Sequence, residues 1–382
     1  MPSSDASSKT FADLLDLRTQ TAAVLRARQP SLAQQQAVLG FDGFVDEIVR
    51  IVDKRESLQE YSVLATLSHL AERVAESAGK STNLELVVQK TKIGGNGPIM
   101  ANALATLGLP MTYIGILGYP AVHPVFGELT ERAQVISIAN PGHTDALEFD
   151  DGKLMMGKLE PLAELTWDCL VQRVGVEKMV AMFAQANLFG FLNWTMLPFM
   201  SNIWRHLLRE VFPKIARPVA RPFAFFDLAD PEKRLASDIQ EALELLGQFE
   251  AHLAVILGLN EKECHEIAGV LGLPVPDHRP DSLRELAAAL RARLDISCIV
   301  IHPRAFAVAA EKEASAHVPG PFDPKPLIST GAGDHFNAGF CLGKLLNLSL
   351  EGSLLAGVST SGYYVRTATS PTVQQLAGFM ES

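Results

Sequence analysis

Short apolar runs alternate with amphipathic stretches along most of the chain. Runs at 186–192, 223–228, 253–259 and 298–302 are separated by segments with helical periodicity. Four alternations of this kind predict a doubly wound α/β fold, with a mainly parallel sheet and helices on both faces. Ligands in such folds bind beyond the carboxyl ends of the strands, so the residues that follow these runs are the first candidates for chemistry.

The first part of the chain follows other patterns. Leucines and valines at helical spacing predict an N-terminal helical extension over residues 1–36 that packs on a later part of the chain. Helical periodicity also predicts a helix over 58–78, whereas 84–93 is typical of a strand. An Asp-Gly pair between alternating runs predicts a hairpin at 147–159.

Composition excludes several classes of partner. The chain has 382 residues, 43 acidic and 33 basic, and a formal net charge of −10, which argues against nucleic acid and anionic membranes as partners. The acidic start does not resemble a secretory signal, and polar residues and a proline interrupt the longest apolar region, at 182–200. We therefore expect a cytoplasmic protein.

The cysteines have no metal-site spacing. They lie far apart and lack a C-x-x-C pair, so neither a zinc site nor a disulfide framework is indicated. All four are expected to be buried thiols: Cys169, Cys264, Cys298 and Cys341.

The strongest chemical motif is a glycine-rich turn that leads into an apolar helix at residues 329–346. Gly331, Ala332 and Gly333 would present backbone amides at the positive end of the helix dipole, which favours an anion. Asp334 would face the same space, where it could accept a proton from an attacking hydroxyl. The alternative is that Asp334 only stabilises the helix terminus electrostatically.

Four segments, in the expected order, resemble the ribokinase-like (PfkB) family of carbohydrate kinases. The turn before Asp334 resembles the family's second signature, and three further matches are Asp46 after the first strand, the turn Gly94-Gly95-Asn96, and Asn260 with Glu263 as an N-x-x-E motif. Without this context, Asn260 and Glu263 would simply form a capping box. Asn96 could equally suit a left-handed turn.

The resemblance implies an ATP-dependent kinase that transfers the γ-phosphoryl group to a hydroxyl of a sugar or nucleoside-like small molecule. It implies Asp334 as general base and the Gly331–Gly333 amides as an anion hole. The substrate-binding candidates are Asp46, its rival Asp42, Gly94, Gly95 and Asn96. The nucleotide-binding candidates are Asn260, Thr330, His302 and Asp227. Mg²⁺ is expected near Glu263 and Asn260, held through water.

The resemblance also implies an architecture. The kinase domain is expected over 37–375, with a small β lid built from about 46–52, 84–92 and 144–159. Lids of this kind often pair between subunits, so a homodimer is a further expectation.

Three positions depart from the family pattern. Ile328 stands where the second signature begins with Asp, Ile99 stands where the first signature has a sugar-binding Asn, and His302 begins a segment that lacks the usual Thr-x-Gly. These departures leave the substrate and potassium activation open. They also keep two alternatives: a non-catalytic nucleotide- or sugar-binding protein on the same fold, and a dinucleotide-dependent oxidoreductase built on the Gly94 turn.

Overall fold

The computed structural model describes residues 11–216 and 221–382. Its strands are β1 (Ala37–Phe41), β2 (Phe44–Arg55), β3 (Tyr61–Val63), β4 (Leu86–Gly94), β5 (Met111–Gly115), β6 (Gln134–Ser137), β7 (Gly142–Phe149), β8 (Gly152–Lys158), β9 (Leu188–Phe191), β10 (Phe223–Asp227), β11 (Ala254–Leu259), β12 (Cys298–Ile301), β13 (Phe306–Ala310) and β14 (Ser315–Pro319). Its α-helices are α1 (Phe11–Arg28), α2 (Leu67–Glu76), α3 (Asn96–Thr106), α4 (Gly127–Arg132), α5 (Trp167–Arg173), α6 (Val176–Gln185), α7 (Met200–His206), α8 (Ala236–Phe249), α9 (Glu261–Val270), α10 (Pro280–Leu294), α11 (Ala332–Leu345), α12 (Leu350–Thr367) and α13 (Val373–Glu381).

Nine strands form a large sheet in the order β14-β13-β12-β11-β10-β9-β1-β5-β6. The strands from β12 to β6 are parallel, and β13 and β14 add an antiparallel edge. Neighbouring residues of β10 serve opposite cores, since Phe226 packs in one cluster and Phe225 in the other. The prediction of a doubly wound α/β fold with helices on both faces is confirmed.

Five strands form a smaller sheet, in which β2 pairs with β3, β4 and β7, and β8 pairs with β7 at the edge. Four of its strands, β2, β4, β7 and β8, overlap the lid segments expected at about 46–52, 84–92 and 144–159, whereas β3 lies outside them. One face is apolar and is covered by α2, because Val49, Ile51 and Leu147 pack with Leu64 and Leu67. The other face carries Asp46.

The helix predicted over 58–78 is wrong at its start. Residues Tyr61–Val63 form β3, which pairs with the end of β2, and the helix begins only at Leu67. Tyrosine and valine favour strands, and a neighbouring strand was available here. The Thr66 side chain then accepts the His69 N–H and fixes the helix start.

Helix α1 packs on the C-terminal helix α13. Ala22 and Leu25 are fully buried, the Arg18 Nε donates to the Met380 carbonyl at 2.5 Å, and Arg26 pairs with Glu381. Of the extension predicted over 1–36, residues 1–10 lie outside the described residues, and α1 forms the docked helix that follows them. No helix in the described part of the chain is long and apolar enough to cross a membrane.

The cysteine prediction needs one correction. Three of the four thiols are buried, but Cys169 is partly exposed. It lies on the short helix α5, where its backbone N–H donates to the side chain of the N-cap residue Thr166.

Candidate active site

Asp334 lies in the first turn of α11 and is 5 % exposed. Asn96 donates a side-chain hydrogen bond to it, whereas its Oδ1 has no partner among the described residues. Burial raises the pKa of Asp334 well above its usual range, and the nearby carboxylates of Asp227 and Asp42 raise it further. A buried carboxylate oxygen without a hydrogen-bond partner indicates a place for a ligand.

The turn before Asp334 requires glycine at position 331. Gly331 has φ 93°, and a Cβ there would lie 3.2 Å from the Tyr364 hydroxyl. The Ala332 amide donates to the Ser329 carbonyl at 3.2 Å, so it is engaged within the turn. The Gly333 and Asp334 amides lie in the first turn of α11, where a helix offers no acceptor. This end of α11 can therefore bind an anion.

Asp42 is fully buried and held by three donors. Its Oδ1 accepts the Gly97 N–H at 2.9 Å and the Tyr113 hydroxyl at 3.2 Å, and its Oδ2 accepts the Asn193 amide at 2.7 Å. Burial raises the pKa of Asp42 to about 6, and the hydrogen bonds that it accepts oppose this rise only in part. A Cβ at Gly95 would lie 2.7 Å from this carboxylate. Asp42 therefore fixes the turn at the start of α3.

Asp46 is 5 % exposed and lies beside Gly94, where a Cβ would come within 2.4 Å of the carboxylate. Thr144 donates a hydrogen bond to it, and Lys92 is its partner across the β2–β4 pair. Burial raises the pKa of Asp46, and Lys92, His143 and Thr144 oppose that rise. The glycine pair thus leaves room for the carboxylate at the meeting point of the two sheets.

Asp227 ends β10, and Glu263 lies in the first turn of α9, which follows β11. Asp227 accepts the Ala229 N–H and the Asn337 amide, each at 2.9 Å. Glu263 accepts the backbone N–H groups of Asp230 and Asn260, at 2.9 and 2.8 Å, and Asn260 Oδ1 accepts the Glu263 N–H. The capping box is therefore present. Burial raises the pKa of Asp227 to about 8, and Glu263 contributes by repulsion.

A cleft of about 630 Å³ borders the glycine-rich turn, and we call it the first cleft. Asn260, His302, Thr330, Ala332 and Gly333 line it. The His302 ring lies 4.6 Å from the Phe336 ring, and burial lowers the pKa of His302 to about 4. His302 therefore lines the cleft as a neutral side chain. Gly331 and Glu263 do not line this cleft.

Several polar groups at the site were not predicted from the sequence. Lys153 on β8 donates to the Thr330 Oγ1 at 2.6 Å and so links the small sheet to the turn. Tyr364 donates to the Thr330 carbonyl at 3.0 Å, and its ring lies 3.6 Å from the His335 ring. Asn337 has a buried Oδ1 without a partner in the described chain. The helical position of Asn337, one turn after Asp334 on an otherwise apolar helix, was the available signal.

Asp227→Asn is expected to stabilise the protein at high pH. The pKa of Asp227 is raised from 3.8 to about 8, so the folded state holds a proton that the unfolded chain releases above about pH 4. The free energy of unfolding therefore falls as pH rises from 4 to 8. Without nucleotide, Asp227→Asn should raise Tm by about 2–5 °C at pH 8.5 and leave it nearly unchanged at pH 5.

Thermal unfolding at both pH values checks this expectation, with Asp281→Asn on the exposed first turn of α10 as control. An equal change of Tm at both pH values would show that the carboxylate of Asp227 is not the group that titrates.

Solved structures share this architecture. The ribokinase from Thermotoga maritima is 15% identical, with a TM-score of 0.61 over 91% of this chain and 100% of that chain. The ribokinase from Arabidopsis thaliana, solved with ribose and ATP, is 14% identical, with a TM-score of 0.63 over 91% of this chain and 99% of that chain. The fold and the ordered site motifs define a ribokinase-like carbohydrate kinase.

Closer relatives narrow the class. The family model for prokaryotic ketohexokinases matches residues 15–382. A ketohexokinase of Haloferax volcanii is 30% identical over 346 residues, covering 90% of each chain. The chain belongs to the prokaryotic ketohexokinase family. It is a phosphotransferase with an alcohol group as acceptor, which confirms the predicted carbohydrate kinase.

Proposed function

We propose that the protein transfers the γ-phosphoryl group of ATP to a hydroxyl of a ketohexose, with Asp334 as general base. The observation that carries this proposal is the buried, partnerless Oδ1 of Asp334 at the anion-binding end of α11. The name of the Haloferax relative supports a ketohexose as acceptor. The ATP in the Arabidopsis structure supports ATP as donor.

Asp334 would accept the proton of the sugar hydroxyl as that oxygen attacks the γ-phosphorus. Its raised pKa makes it a stronger base, provided that it is ionised when substrates are bound. Lys92 lowers the pKa of Asp334 and lies on the strand that faces it. The carboxylate therefore has the environment of a tuned catalytic acid–base group.

Charge on the transferred phosphoryl group would be stabilised from two sides. The Gly333 and Asp334 amides and the dipole of α11 act on one side, whereas the Ala332 amide is engaged within the turn. Lys153 supplies a positive charge from the small sheet, because its Nζ already reaches Thr330 on that turn. Phosphoryl transfer depends mainly on such positioning and charge stabilisation.

The sugar would bind between the two sheets. Asp46 and Asn96 are our candidates for contacts with its hydroxyls, and Gly94 and Gly95 leave room beside the turn for the carboxylates of Asp46 and Asp42. Asp42 is the weaker of the two aspartate candidates, because three donors already occupy its carboxylate. We assign Asp42 to positioning the turn instead.

The first cleft is our site for the nucleotide, with Asn260, His302 and Thr330 on its wall. Asp227, the fourth nucleotide-binding candidate, does not line this cleft. Mg²⁺ fits this region through water, because both oxygens of Glu263 already accept backbone N–H groups and Mg²⁺ retains several waters. Glu263 and Asn260 would hold it. The ion would neutralise phosphate charge.

The small sheet would act as a lid over the sugar. It carries Asp46 and Lys153 on the face toward the site, and α2 covers its other face. Closure would exclude water and limit the hydrolysis of ATP.

ADP formation from ATP with a panel of acceptors tests the proposal. The panel contains fructose, ribose, a sugar acid, a sugar phosphate and a nucleoside, each with Mg²⁺. We expect the largest kcat/KM for the ketohexose. A larger kcat/KM for ribose or the nucleoside would contradict the assigned substrate class but not the kinase activity.

We also expect a homodimer that pairs through the small sheet. Strand β8 is its outermost strand and exposes Leu154, Met155 and Met156, at 43, 46 and 52%. An exposed apolar edge strand favours association with another strand. Light scattering after gel filtration at micromolar concentration should give twice the 41.4 kDa chain mass.

The variant Met155→Lys places a charge on this edge and should shift the population to monomer. A monomeric wild-type protein would contradict the pairing.

A further inference from the structure

A second cleft, of about 420 Å³, lies on the other side of the glycine-rich turn. Within the described chain it shares no lining residue with the first cleft. Its walls come from β4, α3, α4 and the segment that follows α12. Its volume falls in the range of small-ligand sites.

The side chains that line this cleft are mainly cationic. Lys90 and Lys92 project from β4, and Arg132 lies at the end of α4. The one carboxylate on the wall, Glu128, lies 3.3 Å from the Arg132 guanidinium. Three cations against one paired anion run opposite to the net charge of −10 for the whole chain. The excess of positive charge is therefore a local feature of this cleft.

The positive charge of the cleft is only partly compensated. Asp46 and Asp334 attract Lys92, whereas Lys153 and Lys90 repel it. Burial lowers the pKa of Lys92, Asp46 opposes this shift, and repulsion by Lys153 and Lys90 adds to it. An anion in the cleft would reduce this repulsion. The Arg132 guanidinium is steadied by Asn102, which accepts from it at 3.2 Å.

The opposite wall is polar but neutral. His335 bonds to the Ser370 hydroxyl at 2.9 Å and to the Gly331 carbonyl at 2.7 Å, and burial lowers its pKa to about 4. Because a neutral imidazole carries one N–H, His335 donates from Nδ1 to Gly331 and accepts the Ser370 hydroxyl at Nε2. The same wall contains Tyr364, which holds the Thr330 carbonyl. A ligand here would contact the residues that fix the glycine-rich turn.

We propose that the second cleft binds a small phosphate-bearing anion, either inorganic phosphate or a phosphate ester, separately from the nucleotide. Two lysines and an arginine match the charge of a phosphate group and supply N–H donors to its oxygens. Apolar residues at the rim, Ile93 and Val125, could contact the carbon skeleton of an ester. The proposal does not depend on the proposed reaction, because binding alone is measured.

Isothermal titration with inorganic phosphate and with a hexose monophosphate tests it, without nucleotide. We expect dissociation constants of about 1 mM or lower for the wild type. Arg132→Ala and Lys90→Ala should each weaken binding about tenfold. Arg132→Lys, which keeps the charge, should weaken it less. Arg304→Ala, on the wall of the first cleft, is the matched control and should leave the affinity unchanged.

Tighter binding of the ester would assign the sugar phosphate as ligand, and equal affinity would assign the phosphate group alone. Loss of binding in Arg304→Ala with full binding in Arg132→Ala would place the anion in the first cleft and overturn the proposal. So would the absence of binding at about 10 mM.

Discussion

Asp334→Asn is expected to lower kcat by about 10²–10⁴-fold, the range that a general base contributes. The amide keeps the shape of the carboxylate but cannot accept the proton. KM for both substrates should change little, because the turn and the first cleft remain intact. Steady-state kinetics with ATP and the ketohexose give both values.

A matched control separates catalysis from helix electrostatics. Asp281 also lies in the first turn of a helix, α10, but is exposed and pairs with Arg284. Asp281→Asn makes the same chemical change, and we expect kcat to stay within about twofold of wild type. A similar kcat for Asp334→Asn and wild type would leave Asp334 with only the helix-terminal role.

Lys153→Met should lower kcat/KM by about 10²-fold, which is typical for the loss of one preorganised group that stabilises transition-state charge. Lys153 lies on the edge strand β8 and reaches Thr330 across the gap between the two sheets. Its replacement removes both the positive charge and the bond between the small sheet and the turn. Initial rates at low ATP and low sugar measure the change.

Lys158→Met is the control for this variant. Lys158 lies on the same strand but faces the other side of the small sheet, where its Nζ lies 2.8 Å from Asp145. We expect Lys158→Met to retain kcat/KM within about twofold. If the two variants lose activity equally, the loss comes from the strand and not from the charge near Thr330.

The central sheet was predictable because its parallel strands are buried on both faces. Such strands, for example β11, are continuous apolar runs between helices. The glycine-rich turn was predictable because its shape depends on neighbouring residues in the sequence. A positive φ at Gly331 favours glycine, and small residues leave the backbone amides accessible. Strand β3 was not predictable, because three residues carry too little periodicity and its pairing partner is set by the tertiary fold.

The site residues outside the motifs depend on contacts between distant segments. Lys153 meets Thr330 across 177 positions, and Asn337 meets Asp227 across 110. The sequence around a lysine on an exposed strand such as β8 gives no indication of a functional role. Asp42 shows the opposite case: its place after the first strand favoured a substrate contact, but three buried donors point to a positioning role.

The most direct measurement is the stoichiometry between ADP and phosphorylated sugar, followed by ³¹P NMR in a mixture of enzyme, ATP, Mg²⁺ and ketohexose. We expect one phosphate ester for each ADP, and we expect Asp334→Asn to lower the amount of both by about 10²-fold or more. ADP formed together with free phosphate instead of an ester would contradict transfer to the sugar. ATP binding without any ADP would contradict catalysis with this sugar.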